Sequence, residues 1–325
     1  MKLSMLALAT LSTLAFTAAA HAEETITLYT SQPPEQAQQT VDAFEAANPD
    51  IKVNWTRNGT SALMNVMRAE IEAGNIQPDV LLVADPINLG TLKAEGHLMA
   101  YPEAPVDGYD KAAYDKDITF FGTKAITTGI AYNTEIAEPV ESWNDLLVED
   151  NRGMIAVPSP LYSGAALNHL HALINTPEIG WDFYEGLNDL DIVPEGGNGP
   201  ATKAVASGMA KYAIIVDANT LRAKADGSPV DSIAPKEGVS FIGEPVAIMS
   251  TTDPEEAAKK FVDFLLSKEG QELVSAQGNI PLLPGIAAPE GYPDLSSMKL
   301  IGYDVDEAVK NNDAVREQFA EIFGL

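Results

Sequence analysis

The chain has 325 residues, of which 47 are acidic and 20 are basic, so its formal charge at neutral pH is -27. This charge argues against a protein that binds nucleic acid or an anionic membrane surface. The sequence contains no cysteine. A disulfide framework, a thiolate metal site, a cysteine nucleophile and a lipid-modified cysteine are therefore excluded.

The first 22 residues have the form of a secretory leader. Lys2 precedes an apolar run over residues 3–20, and Ala20-His21-Ala22 supplies a small-x-small cleavage pattern. The run is short and ends in small residues, which favours cleavage over a membrane anchor. We therefore expect an exported protein that begins near Glu23 and whose remaining chain, about 300 residues, is long enough for two domains.

Strand and helix patterns alternate in the first third of the chain. Residues 25–29 and 51–55 are predicted strands, and residues 80–83 form a third, buried strand that ends at Asp85-Pro86. Helical patterns lie between them, one after Pro33-Pro34 and one over residues 62–72. The order β-α-β-α-β predicts a parallel sheet covered by helices.

The same alternation returns after a segment of strand character over residues 124–132. A capped short helix over residues 138–146 opens this region, followed by predicted strands at 154–157, 192–193 and 212–216 and helices at 165–174, 181–190 and 202–207. A strand near 245–249 and a helix over 254–267 come next. We expect two α/β lobes joined by two extended crossings, which form a hinge with a ligand cleft between the lobes.

Two turns of small and hydroxyl residues open amphipathic helices, one in each half of the chain. They are Asn58-Gly59-Thr60-Ser61 and Tyr162-Ser163-Gly164-Ala165. A helix that starts after a strand directs free backbone N–H groups and its positive dipole end at a ligand, and an anion suits such a place. Ser, Thr and Asn are also common N-caps, so capping alone would explain either turn.

Together these segments resemble the periplasmic solute-binding proteins of ABC importers, in the branch that binds ferric iron, hexose phosphates and phosphonates. The resemblance covers almost all of the chain after the leader. It rests on Leu28-Tyr29-Thr30-Ser31, Asn58-Gly59-Thr60-Ser61, Gln77-Pro78-Asp79-Val80, Gly129-Ile130-Ala131-Tyr132-Asn133, Ser142-Trp143-Asn144-Asp145-Leu146, residues 159–165, Glu244-Pro245-Val246-Ala247, residues 257–271 and Asn279-Ile280-Pro281. It implies an α/β fold of the type II periplasmic binding protein class, with a mixed, mostly parallel sheet in each lobe and the ligand cleft at the hinge.

The resemblance also implies a division of the chain and a set of partners. Residues 1–22 are the signal peptide, 23–128 lobe one, 129–243 lobe two, and 244–325 the return crossing with C-terminal helices that pack mainly on lobe one. Such a protein is a periplasmic monomer without a cofactor. It closes on a small anionic ligand and delivers the ligand to an ABC permease in the inner membrane.

The chemistry of the ligand is open between a phosphorylated or phosphonate anion and ferric iron. Ferric binders that this chain resembles use a neighbouring pair of tyrosines in the second lobe, but the sequence has no Tyr-Tyr dipeptide, and residues 217–222 stand in the expected place. His169 and His171 are two apart on a predicted helix, so they point to different faces, and we expect them at or near the surface without a shared metal. We predict no metal site and favour the anion, with iron as the alternative.

Donors for a phosphoryl group are predicted at the two helix starts and at the end of the first strand. Hydroxyls and backbone N–H groups there give charge-assisted hydrogen bonds to a dianion. The candidates are Ser31, Thr60, Ser61, Ser163, Gly164 and Ala165. For the hydroxyl residues among them, a turn or a cap is the alternative role.

The other candidates are charged or are expected to line the cleft. Asp217 and Glu244 resemble acidic positions that bind sugar hydroxyls in hexose-phosphate binders, and they would also suit an ammonium group. A cap for Asp217 and a hinge contact for Glu244 are the alternatives. The remaining candidates are Arg222 and Arg57 for bidentate contact with the anion, Asn198 in the glycine-rich turn, Asp85 after the third strand, and Tyr132 in the crossing strand.

A secreted hydrolase is the contrasting hypothesis. The sequence has no Gly-x-Ser-x-Gly elbow, no His-Glu-x-x-His motif and only 4 histidines. We therefore expect a binding protein and not an enzyme.

Overall fold

The computed structural model describes residues 23–292 and 295–325, with the side chain at position 296 left out. The predicted secretory leader lies outside the described residues. Within those ranges, no helix combines the length and the apolar character that crossing a membrane requires.

The first third of the chain alternates strands and helices as the sequence predicts. The elements are β1 (Glu24–Thr30), α1 (Pro34–Ala47), β2 (Ile51–Arg57), α2 (Thr60–Glu72), β3 (Val80–Leu82) and α3 (Pro86–Ala94). Strand β1 lies between β2 and β3 and runs parallel to both. Helix α3 was not predicted, yet its start follows the usual rules, since Asp85 caps it and a proline occupies its first position.

The middle of the chain forms a second α/β arrangement. Its elements are β4 (Phe120–Asn133), β5 (Ile155–Ala156), α4 (Gly164–Ile174), α5 (Gly180–Asp189), α6 (Asn198–Ala206), β6 (Tyr212–Val216), α7 (Asp217–Ala225) and β7 (Val230–Ile233). The capped short helix is a 3₁₀ turn over Trp143–Leu146, with Ser142 and Asp145 forming a capping box.

One strand prediction in this region is wrong. Residues 192–193 form no strand in the described structure, because the backbone turns at Asp191, whose φ is 55°. Ile192 packs into the core and Val193 is exposed, so the two apolar residues do not pair with a neighbouring strand. A dipeptide carries too short a pattern to distinguish a strand from a buried loop.

The C-terminal part returns to the first sheet and ends in helices. Its elements are β8 (Val239–Ile248), α8 (Glu255–Leu266), α9 (Lys268–Ala276), β9 (Ile280–Pro281), β10 (Leu300–Ile301) and α10 (Val305–Phe323).

Two long antiparallel strands, β4 and β8, connect the two halves of the molecule. The sheet has the order β2-β1-β3-β8-β4-β6-β5, with β7 and β9 also paired to β4 and β10 to β8. One end of β8 pairs with β3, while the far end of β4 pairs with β6 and β7. These strands are the two crossings that the sequence predicts.

Separate hydrophobic cores define what we call the first and second lobes. Phe44, Phe121 and Phe261 belong to the core of the first lobe, which contains β1–β3, α1–α3, α8 and α9. Trp143 and Phe183 belong to that of the second lobe, which contains β5–β7 and α4–α7. The predicted residue boundaries of the lobes stay predictions.

Helix α10 contacts both lobes and does not pack on the first lobe alone. Near its start, Val309 lies against Gly90 of α3, where an added Cβ would come within 2.7 Å of the valine side chain. Near its end, Phe319 is fully buried in the core of the second lobe. Because it touches both lobes, α10 spans the junction between them.

Candidate functional site

A cavity of about 600 Å³ lies between the two lobes, where several helices begin. Its first wall comes from the turns that follow β1 and β2, and its second wall from the starts of α4, α6 and α7. Its floor carries Lys124 of β4 and Glu244 of β8. A cavity of this size is suited to a small organic molecule.

Asn198 ties the three helix starts of the second wall together. Its side-chain oxygen accepts a hydrogen bond from the Val216 N–H at 2.9 Å, just before α7, and its side-chain nitrogen donates to Ser163 Oγ at 3.5 Å, at the cap of α4. Asn198 is itself the first residue of α6. No described side chain caps α6 or α7, so their first N–H groups stay available to a ligand.

The first wall combines the start of α2 with Ser31 and Arg57. Gly59 is the N-cap of α2, and among the described side chains none caps this helix. Arg57 Nε donates to the Gln32 carbonyl at 3.1 Å and its Nη2 to the Ser31 carbonyl at 3.5 Å. These contacts hold the guanidinium beside the cavity and leave further N–H donors free.

The two walls touch at the starts of α2 and α4, which therefore face each other as predicted. The Ser61 N–H donates to the Tyr162 carbonyl at 3.3 Å. A Cβ added to Gly164 would lie 2.6 Å from the Ala84 carbonyl oxygen and 2.8 Å from Thr60 Oγ1. The Tyr162 ring covers Gly59 just as closely. Glycine at these positions is what permits the lobes to meet.

The floor is a buried ion pair between the two crossing strands. Lys124 Nζ lies 3.0 Å from Glu244 Oε2, with side-chain exposures of 4% and 3%. Gln32 Nε2 donates to the same carboxylate oxygen at 2.7 Å, and Lys124 also contacts Gln36 Oε1 at 3.4 Å. Gln32 Oε1 is buried and has no hydrogen-bond partner among the described residues.

The charge around the cavity is opposite to that of the whole protein. Arg57, Lys203 and Arg222 line it, and none of them has a carboxylate partner within the part of the chain that the structure describes. Asp226 is the lining acid besides the paired Glu244. The adjoining helix starts add positive partial charge. A protein with a formal charge of -27 therefore presents a positive cavity.

The structure brings eight of the twelve predicted ligand residues to this cavity. They are Ser31, Thr60, Ser163, Gly164, Ala165, Asn198, Arg222 and Glu244. Arg57, the second arginine considered, lines it as well. Their role as ligand contacts stays a prediction.

Four predicted residues do not line the cavity. Ser61 is buried behind the start of α2, and Tyr132 lies in β4 opposite Tyr212, at the end of the strand away from the first lobe. Asp85 is fully buried and accepts a hydrogen bond from the Asn88 N–H at 3.0 Å as the cap of α3. Asp217 is the buried first residue of α7. Asp85 therefore caps a helix, whereas the Asp217 carboxyl is buried without capping α7.

The sequence analysis missed several residues of the cavity. Gln32 comes immediately after Ser31, the predicted serine at the end of β1. Lys124 carried a clearer signal, because a lysine inside a strand of apolar and small residues requires a buried partner. The other missed polar residues are Gln36, Tyr162, Thr202, Lys203, Asn219, Asp226 and Asn279.

His169 and His171 are buried, although we expected them at or near the surface. His169 Nδ1 lies 2.9 Å from Ser240 Oγ and its ring packs on Trp143. Burial lowers the pKa of His169 to about 3, so this ring is neutral. His171 Nε2 contacts Asn312 Oδ1 at 3.4 Å, so the two rings have separate partners.

Asp217 makes the stability of the protein depend on pH. Burial raises the pKa of its carboxyl to about 7, although a hydrogen bond from Thr127 acts in the opposite direction, and Oδ2 has no partner in the described structure. A raised pKa means that the folded state retains the proton longer than the unfolded state. The contribution of this group is therefore fully favourable below about pH 4 and is lost as the pH rises to about 7.

Asp217→Asn is expected to stabilise the protein more at pH 8 than at pH 4.5. The neutral amide avoids burying a charge, and the difference between the two pH values should be on the order of 2–4 kcal/mol. Urea denaturation of both proteins at both pH values measures it, because other titrating groups cancel in the comparison. An equal effect of the substitution at the two pH values would contradict the shifted pKa.

A cleft that lies between two lobes joined by two crossing strands, and that helix starts surround, defines a binding protein that holds a small solute between its lobes. Residues 30–272 match the family of bacterial extracellular solute-binding proteins, and the chain belongs to this family.

Comparison with known proteins agrees with this assignment. The chain is 28% identical over 296 residues to a probable ABC transporter periplasmic-binding protein of Sinorhizobium fredii, covering 86% of this chain and 80% of that one. It is similar to AfuA of Actinobacillus pleuropneumoniae, solved with exogenous fructose-6-phosphate, with a TM-score of 0.84 and 23% identity over 93% of this chain and 99% of AfuA. Iron-bound HitA of Pseudomonas aeruginosa gives a TM-score of 0.80 and 21% identity over 91% of this chain and 99% of HitA.

The fold is that of the type II periplasmic binding proteins, which AfuA and HitA share. The protein is thus a bacterial extracellular solute-binding protein, similar to a probable periplasmic-binding protein of an ABC transporter.

Proposed function

We propose that this protein captures a small phosphorylated or phosphonate anion and delivers it to its permease. The observation that carries the proposal is the positive charge of the cavity, where Arg57, Lys203 and Arg222 have no carboxylate partner within the described ranges. Unpaired cations beside one cavity are costly in the absence of an anion, since they repel one another. A bound anion removes that cost.

The phosphoryl group binds where α2 and α4 begin. The N–H groups of Thr60, Gly164 and Ala165 belong to first turns, where no intrahelical acceptor exists. Ser31 contributes its hydroxyl and Arg57 its guanidinium. Hydrogen bonds from uncharged donors to a dianion are strengthened by its charge, and arginine adds a bidentate contact.

The remainder of the ligand lies over the floor of the cavity. Gln32 Oε1 is buried there without a partner in the described chain, so it can accept a hydrogen bond from a hydroxyl or an ammonium group. Glu244 supplies a carboxylate at the same place. These acceptors support a sugar phosphate or an aminoalkylphosphonate as the ligand type.

Ferric iron is the alternative that the test must address, because the solved structure of HitA contains iron. A hard trivalent cation requires several anionic oxygen ligands. Tyr162 brings one phenol to the cavity. In residues 23–292 and 295–325, no group of three or more His, Cys, Asp or Glu side chains is arranged to hold a metal. The geometry therefore favours the anion.

Thermal-shift and calorimetric titration of the purified protein against fructose 6-phosphate, glycerol 3-phosphate, aminoethylphosphonate and ferric citrate tests the proposal. We expect at least one phosphorylated or phosphonate compound to raise the melting temperature and to be recovered unchanged. Stabilisation by ferric citrate alone, with a coloured complex, would show that the ligand is iron. Release of inorganic phosphate would indicate an enzyme.

Arg57→Gln is expected to weaken binding of the best phosphate or phosphonate ligand about tenfold to a hundredfold, because a charge-assisted hydrogen bond contributes roughly 1.5–3 kcal/mol. Arg68→Gln is the matched control. Arg68 lies in the same lobe, is paired with Glu95 and does not line the cavity. Calorimetric dissociation constants measure both variants. Equal losses would show that the effect is a change in net charge and not a contact.

A further inference from the structure

We propose that the ligand carries a second anionic group besides its phosphoryl or phosphonate group, with at least one hydroxyl between the two. This inference rests on the proposed function and narrows its ligand class. Sugar bisphosphates and phosphorylated hydroxy acids have this chemistry.

The amount of positive charge around the cavity exceeds what one phosphoryl group neutralises. Arg57, Lys203 and Arg222 lack carboxylate partners among the described side chains, and Asp226 offsets one of them. The starts of α2, α6 and α7 lack side-chain caps and each adds a partial charge of about +0.5. A phosphate monoester carries a charge of about -1.5 to -2 at neutral pH. A second anionic group on the ligand neutralises the positive charge that the phosphoryl group leaves uncompensated.

The positive groups form two sets on opposite lobes. In the first lobe Arg57 lies beside the start of α2 and is anchored to the Gln32 carbonyl at 3.1 Å. In the second lobe Arg222 belongs to α7 and donates to the Gln277 carbonyl at 3.5 Å. Gln277 in turn accepts from Gln36, at 3.3 Å. The two anchors therefore involve Gln32, just before α1, and Gln36, in its first turn.

The floor of the cavity, between the two sets, carries a buried acceptor without a hydrogen-bond donor. Gln32, which is 5% exposed, lines the cavity and has no partner for Oε1 in the described structure. A buried acceptor without a hydrogen-bond donor lowers stability, and a donor group on the ligand removes this cost. A hydroxyl between two anionic groups satisfies this atom, whereas a bare diphosphate does not.

Two ligand pairs that differ in one anionic group test the inference by calorimetry at physiological salt. Fructose 6-phosphate is compared with fructose 1,6-bisphosphate, and glycerol 3-phosphate with 3-phosphoglycerate. We expect the ligand with two anionic groups to bind at least about tenfold more tightly in one of the pairs, as one additional charge-assisted contact predicts. If the monophosphates bind as tightly as their partners, the inference is wrong while the proposed function stands. If only ferric citrate binds, the proposed function fails and the inference fails with it.

The variant Arg222→Gln tests whether Arg222 binds the second anionic group of the ligand. The variant should reduce the affinity ratio within the favoured pair from at least about tenfold to less than about threefold. Arg152→Gln is the matched control in the same lobe, since Arg152 pairs on the surface with Glu149 and Asp191 at 2.7 Å each. Thermal denaturation verifies that both variants fold. If Arg222→Gln weakens both members of the pair equally, Arg222 binds the shared phosphoryl group and the inference is overturned.

Discussion

Lys124→Met is expected to lower the free energy of unfolding by about 3–5 kcal/mol, because it leaves the Glu244 carboxylate buried without its ammonium partner. The two side chains are 4% and 3% exposed and their charged atoms lie 3.0 Å apart. Gln32 donates one hydrogen bond to the same carboxylate, which does not replace a full opposite charge. Urea denaturation at pH 7.5 measures the loss.

The double variant Lys124→Met with Glu244→Gln separates the ion pair from simple packing. It removes both charges, so most of the lost stability should return, because an uncompensated charge is the main cost. Lys52→Met is the surface control. Lys52 pairs with Glu45 at 2.9 Å but is nearly half exposed, and its loss should lower the free energy of unfolding far less than the loss of Lys124. Similar costs for Lys52→Met and Lys124→Met would show that burial does not strengthen the pair.

The position of this ion pair explains how the floor of the cavity keeps its shape. Lys124 lies on β4 and Glu244 on β8, the two strands that cross between the lobes, and Gln32 adds a contact from the first lobe. The register of β4 and β8 shifts between Gly122 and Ala125, next to the lysine. A buried pair at this irregular point fixes one strand against the other. The lobes can then move while the floor stays constant.

The sequence predicted most of the strands and helices because their apolar patterns are local. These patterns are also long enough to distinguish the repeat of a helix from the alternation of a strand. The two crossings were predicted for the same reason, since residues 124–132 lie within β4 and residues 245–248 within β8. The elements that were missed include helices α3, α7 and α9 and strand β7. Helix α7 has only two buried nonacidic residues, Ala218 and Thr220, and shows little periodicity.

The contacts between distant residues could not be predicted from the sequence. Lys124 and Glu244 are far apart in the chain, and no local pattern relates a lysine in one strand to a glutamate in another. The facing helix starts were a partial exception, because a resemblance to two-lobed proteins placed them in opposite lobes. Their direct contact through Ser61 and Tyr162 is a property of the folded chain alone.

The acidic residues at strand ends illustrate a specific ambiguity. In an open α/β sheet, the residue after a strand lies near the ligand site, but it is often also the first residue of the next helix. Both roles favour a carboxylate, either as a ligand contact or as a group at a positive helix start. Asp85 has the second role as the cap of α3, whereas Asp217 is the buried first residue of α7 and makes no capping hydrogen bond, and the sequence does not distinguish these outcomes from a ligand contact.

Gly164→Ala is expected to weaken ligand binding about tenfold to a hundredfold by preventing the lobes from meeting. The new Cβ would lie 2.6 Å from the Ala84 carbonyl oxygen, 2.8 Å from Thr60 Oγ1 and 3.0 Å from Asp85 Cβ. One of these atoms belongs to the backbone, so the lobes must separate, at a cost of roughly 1–3 kcal/mol. Alanine retains the backbone N–H at the start of α4 and favours a helix. Loss of affinity therefore reports on closure and not on a lost donor.

Calorimetry gives the affinity of Gly164→Ala, and small-angle scattering gives its dimensions with and without ligand. If the ligand binds only to the closed conformation, the free energy needed to close the variant is subtracted from its binding free energy. The variant should accordingly show a larger radius of gyration than the native protein at the same ligand concentration. Gly302→Ala is the control, because an added Cβ there meets no described atom within 4 Å. Native affinity and native dimensions in Gly164→Ala would show that the lobes bind ligand without coming together at α4.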